Sequence, residues 1–201
     1  AAKTPKAVSF EIIKNTQGVF AVVSGYNYSD IGQDIKKISQ DFKKGTVFAI
    51  LDGITDEGNF GAILRNCSAF GINGVIIPSD RSAGANSRVS RISSGALEEV
   101  KVYKITNIVR TIKLLKNSGF WIYGTSLSSE KNLIDALYAE YMFPAAIIFG
   151  NEEKGMGRLV EDNCDVLVKI GQSGRMQSLN VAVSAGIMFY IIKNIRQKNK
   201  I

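Results

Sequence analysis

Three loops contain the side chains of this sequence that could do chemistry. Each is polar, contains glycine, follows an apolar run typical of a buried strand and precedes a helical pattern; they comprise residues 52–59, 150–156 and 172–180. Ligands of α/β proteins bind outside the carboxyl ends of the strands, which is where such loops lie. The 201 residues include no histidine, the commonest general base. We therefore expect a ligand site at these loops and exclude a histidine-dependent enzyme.

The first loop offers Asn59 and Arg65, and each has a structural as well as a functional interpretation. Asn59 could be the N-cap of the helix that begins near it, because asparagine is a preferred capping residue. Arg65 could be a solvated helix residue, since it lies about 200° around the helical wheel from Ile63 on the apolar stripe. Taken alone, this segment favours the structural interpretation.

The other two loops are equally ambiguous when each is considered alone. Residues 152–154 form either an exposed turn or a loop that lets backbone approach a ligand, with the carboxylate of Glu152 facing inward. Ser178 is either the N-cap of the last helix or, with Asn180 and the free backbone N–H groups there, a holder of a polar substrate group. Three such loops in one small sheet favour the functional interpretation.

The composition suits one sizeable folded domain with a polyanionic partner. Hydrophobic residues make up 45% and charged residues 21%, which permits a packed core. The net charge of +7 favours nucleic acid or an anionic membrane surface, although charge alone leaves RNA or DNA binding at about even odds. The positive charge is uneven, because Arg81, Arg88 and Arg91 stand in an acid-free stretch, residues 81–97. If the partner is a nucleic acid, these arginines are the candidates for contacting its phosphates.

Several other classes of site are disfavoured. Only Cys67 and Cys164 occur, with no CxxC spacing, so both are expected to be reduced and structural, and no metal site is expected. No dinucleotide-binding GxGxxG after the first strand, no phosphate-binding P-loop and no GxSxG nucleophile elbow is present. The longest apolar run is shorter than the ~20 residues of a membrane span, and no signal-peptide pattern opens the sequence. We expect a cytoplasmic protein without membrane contact.

The order of apolar runs predicts an α/β fold with a parallel sheet and helices on both faces. Strands are predicted at VFAIL, GVIIP, KVYKI, FWIYGT, AAIIFG and DVLVKI. Helical patterns lie between them, at NFGAILRNCSAFG, RVSRISSGALEEV, NIVRTIKLLKNSG, LIDALYAEY and MGRLVEDNC, and a last helix is predicted from about Gln177 to Gln197. This alternation packs as a parallel sheet. Residues 1–44, with one predicted strand and a turn within 16–28, are expected to be the tail of an upstream domain plus a linker, and residues 45–201 the main domain.

Three segments resemble the signatures of a known family. DGITDEGNFGAILRNCSAFGINGVIIP resembles the first signature of the SpoU branch of the SPOUT RNA methyltransferases, FGNEEKGM the second and SLNVAVSAGI the third, in the family's order and spacing. Residues 80–107 are similar to enzymes that methylate a guanosine ribose in the peptidyl-transferase region of large-subunit ribosomal RNA. The resemblance covers about residues 17–195, and residues 16–30 resemble the end of an upstream RNA-binding domain found in many members.

The resemblance implies a C-terminal deep trefoil knot, a rare exception to the rule against knots. It further implies a homodimer that binds S-adenosylmethionine in the knot and methylates a ribose 2′-hydroxyl of RNA, ribosomal RNA above all. By position, the catalytic residues would be Asn59, Arg65, Glu152, Ser178 and Asn180. The cofactor-binding residues would be Thr125, Ser126, Phe149, Gly150, Ile170, Ser178 and Leu179, and the RNA-binding residues Arg81, Arg88 and Arg91.

Two departures and two alternatives accompany this interpretation. Members usually have Ile-Pro where this chain has Ile170-Gly171, which would loosen the cofactor loop, and Ala182 removes a hydroxyl near Asn180. A guanidinium normally stays protonated, which favours Arg65 as an orienter of the target phosphate or hydroxyl over Arg65 as a base. The alternatives in function are a tRNA ribose methyltransferase and a non-catalytic RNA-binding assembly protein. A small-molecule methyltransferase leaves the basic stretch unexplained.

Overall fold

The computed structural model describes residues 25–41, 45–127, 132–174 and 178–201. Helices and strands alternate through most of this length. In chain order the elements are α1 (Ile31–Asp41), β1 (Val47–Asp52), α2 (Glu57–Phe70), β2 (Gly74–Pro78), α3 (Ser87–Ser93), α4 (Ala96–Glu99), β3 (Lys101–Ile105), α5 (Ile108–Asn117), β4 (Trp121–Thr125), β5 (Ile134–Asp135), β6 (Ala145–Gly150), α6 (Arg158–Glu161), β7 (Val166–Lys169) and α7 (Val181–Lys198).

The seven strands form one sheet in the order β3-β2-β1-β6-β4-β7-β5. Every pairing between neighbouring strands is parallel. The pair β1–β6 at the centre has the longest register, from Val47↔Ala145 to Asp52↔Gly150. Both strands are buried on both faces, which is why their sequences are continuous apolar runs. The six predicted strands and their parallel arrangement are confirmed.

Helices cover both faces of the sheet, as predicted. Successive strand residues point to opposite faces, so β1 sends Val47, Ala49 and Leu51 into one core and Phe48 and Ile50 into the other. The first core is closed by α2, α3, α4 and α7, and the second by α1, α5 and α6. The fold is therefore α/β with a seven-stranded parallel sheet between two helical layers.

The structure corrects the helix predicted at LIDALYAEY. Residues 134–135 form β5, which pairs with β7, and a turn follows. Asp135 explains the difference: its Oδ1 accepts a hydrogen bond from the Leu137 backbone N–H at 2.9 Å, and its carbonyl accepts from Tyr138 and Ala139. An aspartate that bonds the backbone two residues later stabilises a turn in competition with a helix.

Three further helix predictions had wrong limits. At MGRLVEDNC only the four residues of α6, Arg158–Glu161, are helical. The segment around residues 88–100 is two helices, because Ser94 and Gly95 both adopt left-handed backbone conformations with φ of 52° and 92°. The last helix begins at Val181 rather than near Gln177, which lies outside the described residues.

The segment from residue 25 to α1 packs along the β3 edge of the sheet. The Ser29 N–H donates to the Val102 carbonyl at 2.9 Å, and the Tyr28 hydroxyl accepts from the Ala85 N–H at 3.0 Å. The carboxylate of Asp34 accepts from the Tyr103 hydroxyl and binds the Lys101 ammonium, both at 2.8 Å. This part of the predicted linker thus lies against the domain; most of the strand predicted at 16–28 falls outside the described residues.

Helix α7 is fixed across α2 at both ends. Near its start, the Asn66 side-chain amide donates to the Ala182 carbonyl at 2.9 Å. Near its end, the Arg196 guanidinium donates to the carbonyls of Gly45 and Gly71 at 3.1 and 3.0 Å, and burial lowers the pKa of Arg196. These contacts join the third signature segment to the first.

Cys67 and Cys164 form no disulfide in the described part of the chain, in agreement with the predicted reduced state. Cys67 is fully buried on α2, and this burial raises the pKa of its thiol. Among the described residues, no helix is long and apolar enough to cross a bilayer.

Candidate active site

A cleft of about 250 Å³ lies along the carboxyl ends of β4, β6 and β7 and is lined by the second and third signature loops. The first loop does not line this cleft and is joined to it by the hydrogen bond from Asn59 to Glu152. All seven predicted cofactor-binding residues line it: Thr125, Ser126, Phe149, Gly150, Ile170, Ser178 and Leu179. The lining also includes residues that the sequence did not single out, namely Leu127, Asn151, Glu153, Lys154, Gly155, Met156, Glu161, Val168, Gln172, Val181 and Ser184. Most of these residues are adjacent in sequence to predicted site residues, so their position in the same loops could have indicated them. Nothing in the sequence indicated Glu161, which lies on α6.

A chain of hydrogen bonds joins one polar side chain from each loop. The Asn180 Nδ2 donates to Asn59 Oδ1 at 2.9 Å, and the Asn59 Nδ2 donates to Glu152 Oε1 at 2.5 Å. We call these three side chains the amide chain. A carboxylate can only accept, so Glu152 sets the orientation of the Asn59 amide, which in turn leaves its oxygen for Asn180. The fold thus brings together residues separated by 93 and 121 positions.

The N-caps of α2 and α7 leave the side-chain amide groups of Asn59 and Asn180 able to form the amide chain. The N-cap of α2 is Asp56, whose Oδ1 accepts from the Asn59 backbone N–H at 2.7 Å, so the capping interpretation of Asn59 is wrong. The N-cap of α7 is Asn180, whose Oδ1 accepts from the N–H groups of Ala182 and Val183, so Ser178 is not the cap either. Aspartate and asparagine are among the preferred capping residues. Asn180 caps with its oxygen and reaches Asn59 with its nitrogen.

The loop after β6 is folded tightly back on itself and tied to the loop after β1. Asn151 Oδ1 accepts from the N–H groups of Glu153 and Lys154, while its Nδ2 donates to the Gly53 carbonyl at 2.9 Å. Gly150 has no space for a side chain, because a Cβ there would overlap the carbonyl carbon of Gly155 and the amide nitrogen of Met156. Glu152 therefore owes its position to backbone packing that only glycine permits.

Comparison with known proteins identifies the family. Residues 46–190 match the sequence profile of the SpoU rRNA Methylase family, which is most of the chain. The chain belongs to the SpoU methylase family. A Bacillus subtilis protein named for the TrmH family of tRNA/rRNA methyltransferases is 36% identical over 185 residues, covering 92% of this chain and 72% of that protein.

Two solved structures extend this similarity to the SpoU fold. The TrmH/SpoU tRNA modifying enzyme of A. aeolicus superposes with a TM-score of 0.70 at 28% identity, covering 84% of this chain and 85% of that one. An rRNA methyltransferase of Sinorhizobium meliloti, solved with AdoMet bound, gives a TM-score of 0.73 at 25% identity, covering 84% of this chain and 61% of that one. The predicted membership of the SpoU family is confirmed.

The departure from the usual SpoU pattern at Gly171 has a local cause. A Cβ at this position would lie 2.7 Å from Asp135 Oδ2 on the neighbouring β5. Glycine therefore accommodates the Asp135 carboxylate beside the loop that carries Ile170. The other departure, Ala182, uses its backbone, since its carbonyl accepts from Asn66.

Two predicted SpoU catalytic residues do not join the amide chain: Ser178, which lines the cleft, and Arg65. Arg65 lies six residues after Asn59 on α2, which places it about 9 Å further along the axis and about 120° around it. Its side chain is exposed, and no hydrogen bond or ion pair joins it to another residue of the described ranges. Within a single chain, Arg65 therefore does not reach the amide chain.

The three predicted RNA-binding arginines lie beside the amino end of α2. Arg81 precedes α3, and Arg88 and Arg91 lie on it, all three exposed. Helix α3 packs closely on α2, where a Cβ at Gly61 would lie 2.6 Å from Ile92 Cγ2. In the described part of the chain, no cluster of histidine, cysteine and acidic residues could hold a metal.

Proposed function

We propose that this protein is a ribose 2′-O-methyltransferase that uses S-adenosylmethionine and acts on a guanosine of large-subunit ribosomal RNA. The observation that carries the proposal is the amide chain of Glu152, Asn59 and Asn180, which joins one residue of each family signature and borders the cleft through Glu152. The basic segment with Arg81, Arg88 and Arg91 supports an RNA substrate, because phosphate contacts supply much of RNA affinity. The relative from B. subtilis is named for both tRNA and rRNA, so a tRNA ribose is the second candidate.

The residues of the cleft fit the proposed cofactor. Ile170 and Leu179 provide apolar surface for an adenine ring, and the carboxylates of Glu152 and Glu161 suit a cationic ligand. Backbone of the loops at Gly150 and Ile170 is within reach for polar groups of the ligand. S-adenosylmethionine supplies an electrophilic methyl group on a sulfonium. The related S. meliloti enzyme was solved with this cofactor.

The protein residues have three tasks in the proposed reaction. The ribose 2′-hydroxyl must be held in line with the methyl group, with reacting atoms roughly 3–3.5 Å apart. Asn59 and Asn180, oriented by Glu152, would hold the ribose beside the cleft, with Ser178 at its wall. Arg65 would orient the target phosphate or hydroxyl, so that the hydroxyl proton can leave through that phosphate. A direct arginine base is the alternative.

The sheet order supports the proposed trefoil knot. Strand β6 lies between β1 and β4, and β7 lies between β4 and β5, so the chain returns twice into the middle of strands already laid down. The loop after β7 then leads into α7, which crosses α2. We also propose that residues 1–44 are the end of an upstream RNA-binding domain with its linker, and that the protein is cytoplasmic.

Helix α7 carries an exposed stripe that fits the proposed homodimer. Val183 and Tyr190 are 51% and 56% exposed, and Ile187 between them is half-buried. The Tyr190 ring packs edge-on to Phe70 of α2, the helix that also exposes Arg65. A two-fold interface uses the same patch on both subunits, so pairing along this stripe would bring the carboxyl end of α2, with Phe70, to the interface of two copies.

The homodimer is testable at Tyr190. Tyr190→Glu places a charge in the apolar stripe and is expected to convert dimers to monomers at micromolar concentration, because unpaired charge is costly in an interface. Light scattering after size-exclusion chromatography measures the mass. Tyr138→Glu is the control, since Tyr138 is 83% exposed in the turn after β5, is not part of α7, and should leave the mass unchanged. A Tyr190→Glu chain of unchanged dimeric mass contradicts the interface.

The proposed activity is tested with labelled S-adenosylmethionine. Purified protein is incubated with ribosomal RNA, and separately with tRNA, each lacking native methylation, and the label is mapped by nuclease digestion. A label on one guanosine ribose of large-subunit RNA is the expected result; a label on tRNA favours the second candidate. If calorimetry shows cofactor binding but neither RNA is methylated, the assay is repeated with a longer chain in which an RNA-binding domain precedes residues 1–44. Cofactor binding without transfer in that longer chain as well indicates the non-catalytic alternative.

A further inference from the structure

Glu57 connects the basic segment to the helix that carries Asn59. It lies in the first turn of α2, and each of its carboxylate oxygens has a partner on or next to α3. Oε1 accepts from Asn86 Nδ2 at 2.5 Å, and Oε2 lies 3.4 Å from Arg88 Nε. A glutamate at a helix start also interacts favourably with the helix dipole. The helix-dipole interaction requires no side-chain partner, so it does not explain why Glu57 contacts both Asn86 and Arg88.

Asn86 transmits this contact to the whole of α3. Asn86 is the N-cap of that helix: its Oδ1 accepts from the Val89 N–H at 3.0 Å and its carbonyl from the Ser90 N–H at 2.9 Å. Its Nδ2, bonded to Glu57, fixes the plane of the capping amide. The start of α3 is therefore set by a residue of α2.

Arg88 keeps its capacity to bind RNA while it is paired. The ion pair uses Nε, the nitrogen nearest the side-chain stem, and 64% of the Arg88 side chain remains exposed, against 32% for Glu57. An exposed pair of this kind contributes little to stability. Its main consequence is geometric, since it restricts where the guanidinium can meet a phosphate.

Glu57 and Asn59 are two residues apart on one rigid helical turn. The Asn59 side chain belongs to the amide chain, with Glu152 and Asn180. The close packing of Gly61 against Ile92 keeps α3 in contact with α2 one turn further on. A phosphate held by Arg88 is thereby held at a defined position relative to the Asn59 amide.

We propose that Glu57 is a positioning residue that couples RNA contact on α3 to methyl transfer at the amide chain. The proposal rests on the proposed RNA methyltransferase function. Glu57 increases the fraction of bound RNA that is positioned for methyl transfer and does not increase RNA affinity. Without its carboxylate, Arg88 binds phosphates in several orientations, of which few place the ribose at Asn59. The negative charge beside the arginines also lowers the local positive potential, so it weakens binding itself.

Glu57→Ala separates the effect on RNA affinity from the effect on methyl transfer, because affinity is expected to rise and the transfer rate to fall. RNA is expected to bind with equal or up to about threefold higher affinity, since a carboxylate has been removed from a cationic surface. The single-turnover rate of methyl transfer is expected to fall about tenfold through lost positioning. Cofactor affinity should not change, because Glu57 does not line the cleft. The measurements are RNA affinity by filter binding, transfer rate at saturating RNA, and cofactor affinity by calorimetry.

Two further variants isolate the ion pair. Glu57→Gln keeps an acceptor for Asn86 but no charge for Arg88, so its rate should lie between those of wild type and Glu57→Ala. The double variant Glu57→Ala with Arg88→Ala should have the same rate as the slower of the two single variants. The effects of two residues that act as a unit are not additive. Glu98→Ala, which removes an exposed carboxylate from the neighbouring α4, is the charge control and should keep the wild-type rate.

The outcomes distinguish the coupling from the activity. Wild-type rate in Glu57→Ala overturns the inference, as does a parallel loss of rate, RNA affinity and cofactor affinity, which indicates only damaged folding. Additive effects of Glu57→Ala and Arg88→Ala also overturn it. If the wild-type chain transfers no methyl group to any RNA, the proposed function itself fails and the coupling fails with it.

Discussion

Arg65→Ala is expected to abolish methyl transfer, with a loss of at least about a thousandfold in rate, while S-adenosylmethionine affinity stays within about twofold. The physical reason is that the proposed role of Arg65 concerns the RNA substrate, whereas other residues bind the cofactor. The cleft is lined by residues that do not include Arg65, so the cofactor loses no contact. The ribose hydroxyl loses the cation that orients it or its phosphate, and a hydroxyl that is neither aligned nor activated is a poor nucleophile.

The measurement pairs single-turnover transfer with calorimetry of the cofactor. Arg65→Lys keeps the charge but not the planar fork, so it should recover only part of the rate. Arg110→Ala is the matched control, because Arg110 is also exposed on a helix but lies on α5, across the sheet. Light scattering should accompany the assay, since Arg65 lies on α2, the helix whose Phe70 packs against Tyr190 of the proposed dimer surface. Wild-type turnover in Arg65→Ala would remove Arg65 from the mechanism under either of its two roles.

Gly150→Ala is expected to reduce S-adenosylmethionine binding below detection and to lower the free energy of unfolding by about 1–3 kcal/mol, the usual range for overpacking. A Cβ there would overlap the backbone of Gly155 and Met156, which cannot rotate away as a flexible side chain can. The loop that carries Glu152 would have to open. This opening moves the cleft wall and breaks the hydrogen bond between Glu152 and Asn59.

Gly157→Ala is the control within the same loop. A Cβ at Gly157 would meet its nearest atoms, in Asp52 and Val160, at 3.6 and 3.9 Å, which are ordinary contact distances. Calorimetry and urea unfolding of both variants give the comparison. Unimpaired cofactor binding by Gly150→Ala would show that the cleft does not depend on the tight closure of this loop.

The sequence determined the element types where local preference and burial agree. The strands at VFAIL and AAIIFG are continuous apolar runs because both faces of a central parallel strand are covered. The exposure of Arg65 followed from its angular distance to Ile63 and Cys67, which are buried. Where local side-chain bonding competes with periodicity, prediction failed: Asp135 stabilises a turn inside an apparent helix.

The resemblance of three short motifs supplied more of the site than periodicity could. Every predicted cofactor residue lines the cleft, and Asn59, Glu152 and Asn180 are joined by hydrogen bonds. Neither the motifs nor the periodicity indicated Glu57. Its role depends on α3 lying against the first turn of α2, and its nearest partner, Asn86, is 29 residues away.

The sequence by itself determined the strands, the main helices, the candidate residues and the need to react without histidine. These follow from interactions between near neighbours in the chain and from which faces must be buried. Only the tertiary structure decided the strand order, the caps at Asp56 and Asn180, and which side chains meet. Strand order depends on chain returns that leave no local pattern. A hydrogen bond across 121 residues, such as that of Asn180 to Asn59, exists only once the sheet has brought the loops to one edge.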